Sequence, residues 1–208
     1  MKITEEELSA LSAAVGTRLS EGRYRHTQGV EQMAARLGAL FFPPDTVRAL
    51  RAAALLHDIA KELPKEEQLS LIRESGFAVT EEDVSSPTLY HAFAAPALIR
   101  RDFPRFATEE ILRAVFFHTT GDAEMNTFEK IIFLSDFIEA GRTYPSCVRA
   151  RERLFSALGK EMPPERALDD AVLFTLDLTI VSLTERHIPI NLRTVKARNS
   201  MLSKTYTT

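Results

Sequence analysis

Apolar residues recur at helical spacing along almost all of this 208-residue chain, while the period-two alternation of β-branched residues that marks strands is almost absent. That predicts an all-α fold. Thr4 and Glu7 have the spacing of a capping box, and Leu8, Leu11, Val15 and Leu19 follow at helical intervals. A second helix is predicted over 25–40, with Val30, Met33 and Leu37 on the same face as His26. The third starts after Pro43-Pro44, with Asp45 as its cap, and runs through Ala52–Ala60 until Pro64 interrupts it. It is apolar nearly all round and should be central. Further helices are expected at 65–75, 88–101 (broken or restarted at Pro96), 108–118 after a Thr108 cap, 126–140, 145–159, 164–185 and 191–204. Pro163-Pro164 is the most visible boundary, yet nothing there reads as a flexible linker. One domain over 1–208 is expected, with a core at about 20–145 and a C-terminal helical extension at about 145–208 packed on it.

Composition narrows the function. The net charge of −3 excludes a generally basic binder of nucleic-acid polymers. A single cysteine, Cys147, excludes an internal disulfide and a Cys-based zinc ribbon and fits a reducing compartment. The opening MKITEEELSA is acidic where a signal peptide is basic, and no apolar run reaches the ~18 residues of a membrane span. A soluble, cytoplasmic protein without membrane partners is expected. The eight glycines are scattered and form no phosphate-cradling loop.

Three apolar runs end in, or are broken by, residues that make no sense as packing. Ala-Ala-Ala-Leu-Leu leads into His57-Asp58, Ile-Leu-Arg-Ala-Val-Phe-Phe into His118, and Ile-Ile-Phe-Leu-Ser into Asp136. A carboxylate in a core costs several kcal/mol unless it is paired or metal-bound. A lone histidine beside an apolar run is usually a satisfied core or edge residue, and a lone aspartate in a helix usually caps a neighbour or meets an arginine. The combination points elsewhere, to a cation shared at a helix crossing. Adjacent His57 and Asp58 project about 100° apart on a helix, so both can reach one ion while His26, His118 and Asp136 approach from other helices. Imidazole and carboxylate without thiolate suit iron, manganese, cobalt or zinc. Lys61, three residues after Asp58, shares that helical face; its ordinary role would be a surface salt bridge with Glu62 or Glu66. Arg142, past a helix end at Gly141, can fork around a phosphate or simply satisfy the helix dipole. Thr119 can offer a hydroxyl to a phosphate, though such a residue more often caps or turns. Arg198 and Asn199 are weaker candidates, and His187, in a turn before Pro189, has no metal role.

The order His26, His57-Asp58, His91, His118, Asp136 resembles the pattern of the HD-domain metal-dependent phosphohydrolases. The contexts Leu-Leu-His-Asp-Ile-Ala-Lys and Leu-Ser-Asp-Phe-Ile-Glu-Ala-Gly-Arg, with Thr194-Val195-Lys196-Ala197-Arg198-Asn199 near the end, are similar to the HD-domain symmetrical bis(5′-nucleosyl)-tetraphosphatases. The chain departs from that group at Ala140, where proline is usual, and at Pro96, where a small residue is expected. The resemblance implies an HD-domain helical bundle that splits diadenosine tetraphosphate symmetrically into two ADP by a metal-activated hydroxide. It implies that His26, His57, Asp58 and Asp136 hold one divalent transition metal, iron foremost, with manganese or cobalt as alternatives. His91 and His118 would hold a second metal bridged by Asp58, or contact the substrate phosphates. Asp58, Lys61, His91 and His118 would be catalytic; His26, Lys61, His91, His118, Thr119, Asp136 and Arg142 would face the nucleotide. A homodimer is left open. The same ligands would serve an HD enzyme acting on a deoxynucleoside monophosphate or guanosine tetraphosphate; a non-catalytic helical regulatory module and a di-iron oxygenase are the remaining alternatives.

Overall fold

Side-chain caps set several of the helix starts in the computed structural model, which describes residues 2–160 and 162–206. Thr4 Oγ1 accepts from the Glu7 amide at 3.1 Å and Glu7 Oε2 accepts from the Thr4 amide at 2.8 Å, the predicted capping box. It opens α1 (Glu5–Gly16), and Ser20 caps α2 (Glu21–Gly38). The latter starts four residues before the predicted position because the serine cap outweighs the poor helix propensity of Gly22. α3 (Pro44–Leu56) uses Pro43, not Asp45, as its cap; Asp45 pairs one turn on with Arg48. There follow α4 (Lys65–Arg73), the unpredicted single turn α5 (Glu81–Val84), α6 (Tyr90–Asp102), a 3₁₀ turn at Pro104–Phe106, and α7 (Glu109–Phe117), capped by Thr108 as expected. The rest are α8 (Thr127–Ile138), α9 (Pro145–Gly159), α10 (Pro164–Glu185) and α11 (Leu192–Tyr206), and no strand occurs among the described residues.

Two expectations fail locally. α6 runs unbroken through Pro96: the helix forgoes the bond that residue 96 would donate to the Ala92 carbonyl, and packing against α4 and α7 holds it in place. α3 stops at Leu56 and does not carry His57 and Asp58 within it. His57 caps its C-terminus, and the chain continues in tight turns, with Ile59 N donating to Leu56 O and Lys61 N to Asp58 O.

α3 lies at the centre, packed on α1, α2, α7 and α8. Its stretch Ala52–Leu56 is fully buried, and the three alanines let neighbouring backbones approach closely. The C-terminal helices pack on this core: α10 lies against α8 and α9, and α11 lies against α10. Gly121, at φ +66°, brings the loop after α7 so close to α11 that a Cβ there would stand 3.1 Å from Ala197 Cβ. Ser200 Oγ donates to Ala123 O at 2.6 Å in the same loop. The Thr194–Asn199 stretch thus lies on the helix that braces the segment following His118. No described helix is long and apolar enough to cross a membrane.

Candidate metal centre

His57 and His118 end their helices in the same way. Each is the C-cap residue, and each places Nδ1 against the carbonyl three residues back: His57 on Ala54 O at 2.7 Å, His118 on Val115 O at 2.6 Å. A helix leaves its last carbonyls without partners, so an imidazole there satisfies one of them with Nδ1–H. That fixes the tautomer and turns Nε2 inward as a lone pair. His26, one turn inside α2, is held by Glu139, whose Oε1 lies 3.2 Å from Nδ1. All three rings therefore present Nε2 to the interior, and all three Nε2 atoms are buried without a hydrogen-bond partner. Unpaired buried nitrogens are costly and uncommon in a folded protein.

Two carboxylates meet those nitrogens. Asp136, on α8, has Oδ1 at 3.0 Å from His26 Nε2 and 3.8 Å from His57 Nε2. Asp58 has Oδ2 at 3.5 Å from His57 Nε2 and Oδ1 at 3.7 Å from His118 Nε2. Two groups thus have ligand atoms close enough for one ion, His26–His57–Asp136 and His57–Asp58–His118, sharing His57. The orphaned Nε2 atoms beside the buried Asp58 and the half-buried Asp136 fit a divalent transition metal of imidazole-carboxylate preference. His91 lies at the edge of the cluster: its Nε2 is 3.2 Å from Asp58 Oδ1 and 3.0 Å from Lys61 Nζ.

Electrostatics follows the same geometry. Burial penalises the carboxylate of Asp58, but the facing histidines outweigh it and its pKa falls well below the usual range. Asp136 is likewise pushed far down against its burial by His26, His57 and Arg142. Burial opposes the charged form of His57, yet Asp58 and Asp136 overcome this and raise its pKa. For His91 burial wins, and its pKa is driven well below the ordinary histidine value, so the ring is neutral. Burial also lowers Lys61, against the pull of Asp58 and Asp136.

Cations rim the cluster. Arg142 donates to Asp136 Oδ1 at 2.7 Å and to the Asp136 carbonyl at 2.9 Å. Lys61 Nζ stands 3.9 Å from Asp58 Oδ1 and against His91, not in the surface pairing with Glu62 or Glu66; Glu62 instead accepts from Ser20. Thr119 keeps a buried, unpartnered hydroxyl, with no recorded contact to the cluster. Arg198 is engaged with Asp177 and Asn199, and His187 sits in the α10–α11 turn at φ 54°.

Two residues escaped the sequence reading. Arg23 donates to Asp58 Oδ2 at 2.9 Å, and Glu139 holds His26. Their signal was the helical spacing: Arg23 precedes His26 by three and Glu139 follows Asp136 by three, one turn away on the same face. A cleft of about 350 Å³ opens above them, lined by Arg23, His26, Glu139, Arg142, Thr143 and Tyr144 among others.

The fold and this cluster define an HD-domain protein. The HD-domain family model matches residues 23–141, and the chain belongs to that family. Within it, the chain is 33% identical over 186 residues to the symmetrical bis(5′-nucleosyl)-tetraphosphatase of Halalkalibacterium halodurans, covering 88% of this chain and 91% of that one. It is 33% identical over 178 residues to the protein of the same name from Bacillus subtilis, covering 86% and 88%. A solved structure from Clostridium acetobutylicum, described as a predicted HD superfamily hydrolase involved in NAD metabolism, superposes with a TM-score of 0.79 at 28% identity, over 98% of this chain and 100% of that one.

Proposed function

We propose that this chain hydrolyses dinucleoside polyphosphates, cutting diadenosine tetraphosphate symmetrically into two ADP with the help of a divalent transition metal, iron foremost. The observation that carries the reading is the convergence of three buried, unpartnered Nε2 atoms on the buried Asp58 and the half-buried Asp136, beneath a cleft that Arg23 and Arg142 line. His26, His57, Asp136, Asp58 and His118 would hold the metal. When bound, it supplies a water acidified towards neutral pH and charge for the phosphoryl oxygens.

The other parts belong to the chain. Arg23 and Arg142 each carry one guanidinium edge on a carboxylate of the cluster, and both line the cleft where a polyphosphate would lie. Lys61 is aimed at Asp58 and His91 from the other side, an ammonium positioned to meet non-bridging oxygens. His91, kept neutral by burial and hydrogen-bonded to Lys61, adds a ring nitrogen 3.2 Å from Asp58 at the edge of the cluster. The packing of α10 on α8 and α9 supports reading the chain as one working unit; a cytoplasmic location, a small nucleotide substrate and a homodimer belong to the same proposal.

Metal-loaded protein offered diadenosine tetraphosphate should give ADP alone by nucleotide chromatography. ATP plus AMP would overturn symmetrical cleavage. Turnover restricted to a deoxynucleoside monophosphate or guanosine tetraphosphate would replace the substrate class. Purified protein without stoichiometric transition metal would sink the metal-dependent mechanism.

A further inference from the structure

The segment that follows Asp136 is built around a carboxylate. Glu139 ends α8 and is 4% exposed, deep burial for a glutamate. Its Oε1 lies 3.2 Å from His26 Nδ1, and its Oε2 accepts from the Gly141 amide at 2.5 Å. The backbone around it is clamped from α9: Arg151 donates to Ile138 O at 2.7 Å, Glu139 O at 2.5 Å and Arg142 O at 2.7 Å. Across the gap, α2 passes with Gly29, where a Cβ would overlap Glu139 Oε2. Glycine within a helix costs stability relative to alanine, so this one needs a reason, and the reason visible here is room for the carboxylate.

From these contacts we infer that Glu139 is the positioning residue for the metal centre: seated by Gly141, Arg151 and the missing Cβ of Gly29, it takes the Nδ1 proton of His26 in a hydrogen bond and so aims Nε2 inward. The inference rests on the metal-centre reading above. His57 and His118 obtain the same service from helix-terminal carbonyls; His26, inside α2, has no free carbonyl within reach because the helix uses its own. A side-chain acceptor from a different helix must replace it. A carboxylate is the stronger acceptor and raises the basicity of the ligand nitrogen.

Cobalt(II) titration of the metal-free protein, followed by visible absorption with a competing chelator, tests this without substrate. Glu139→Ala should weaken cobalt binding about 10- to 100-fold, the range typical of such orienting partners, while circular dichroism stays helical. Glu139→Gln, which still accepts from Nδ1 but offers Gly141 a donor, should lie between Glu139→Ala and wild type. Gly29→Ala touches neither His26 nor the charge, yet should mimic Glu139→Ala by displacing the carboxylate. A purely structural role predicts the opposite pattern: altered thermal unfolding of the metal-free protein with cobalt affinity unchanged. Wild-type cobalt affinity in Glu139→Ala overturns the inference, and does so alone if His57→Ala abolishes binding. A wild-type protein that takes up no cobalt overturns the metal-centre reading and this inference together.

Discussion

Asp58 and Asp83 are almost equally buried, 3% and 2% exposed, and they sit in opposite kinds of company. Asp83, in α5, is saturated with donors: Arg193 at 2.9 Å, Asn191 Nδ2 at 2.9 Å and the Thr80 amide at 2.9 Å. Those bonds tie α5 to the start of α11, closing the C-terminal helices onto the core. Asp58 has one hydrogen-bonded arginine, Arg23, and beside His91 and Lys61 it faces the Nε2 atoms of His57 and His118, which have no hydrogen-bond partner. Burial alone therefore says little about purpose. What separates a structural carboxylate from a functional one is whether the polar atoms around it are satisfied by the protein itself.

That difference can be broken experimentally. The largest effect is expected at the unsatisfied centre: Asp136→Ala should lower turnover by on the order of 1000-fold or more and remove bound metal, leaving helical circular dichroism unchanged. Retention of metal and rate would remove Asp136 from the centre. At the satisfied site the outcome should be inverted. Asp83→Ala leaves Arg193 and Asn191 without their acceptor and should cost about 2–3 kcal/mol in denaturant unfolding, with turnover per folded molecule preserved.

Acid sharpens the contrast further. Burial penalises the charge of Asp83, but Arg193, Thr80 and Asn191 outweigh it and hold the folded pKa below the usual carboxylate value. A depressed folded pKa contributes stability that is fully present above the unfolded pKa of about 3.9 and is lost as pH falls through the folded one. The stability gap between the metal-free wild type and Asp83→Asn should therefore be constant near neutrality and narrow below about pH 4. A gap that stays constant down to pH 2 would remove the ionic component. The smallest effect should come from Arg198→Ala, which breaks a half-exposed pair with Asp177; less than about 1 kcal/mol is expected, and a large loss of turnover would return Arg198 to the site.

Much of the fold could be read from local signals. Thr4 and Thr108 announced helix starts that the structure shares, because capping is chemistry between neighbours, whereas the helix at Pro43-Pro44 starts two residues before the expected Asp45 cap would have placed it. The histidines and aspartates were legible for a related reason: a polar residue at the end of an apolar run is anomalous wherever it occurs. The failures share a cause as well. Pro96 stays helical because α6 is buried and held between α4 and α7, and α3 stops at Leu56 because His57 satisfies the helix end itself. Both outcomes depend on how side chains are arranged in space, which spacing does not encode.

The sequence by itself determined that this chain is helical, that histidines and aspartates interrupt its apolar runs, and in what order they come, since periodicity and residue chemistry are properties of the chain. The tertiary structure alone decided which nitrogen of each ring faces inward, that Arg23 reaches Asp58 across 35 residues, and that Glu139 reaches His26 across 113. Those are matters of a few ångströms between helices distant in sequence. Only the packing of α2, α3, α7 and α8 around the buried alanines brings them within reach.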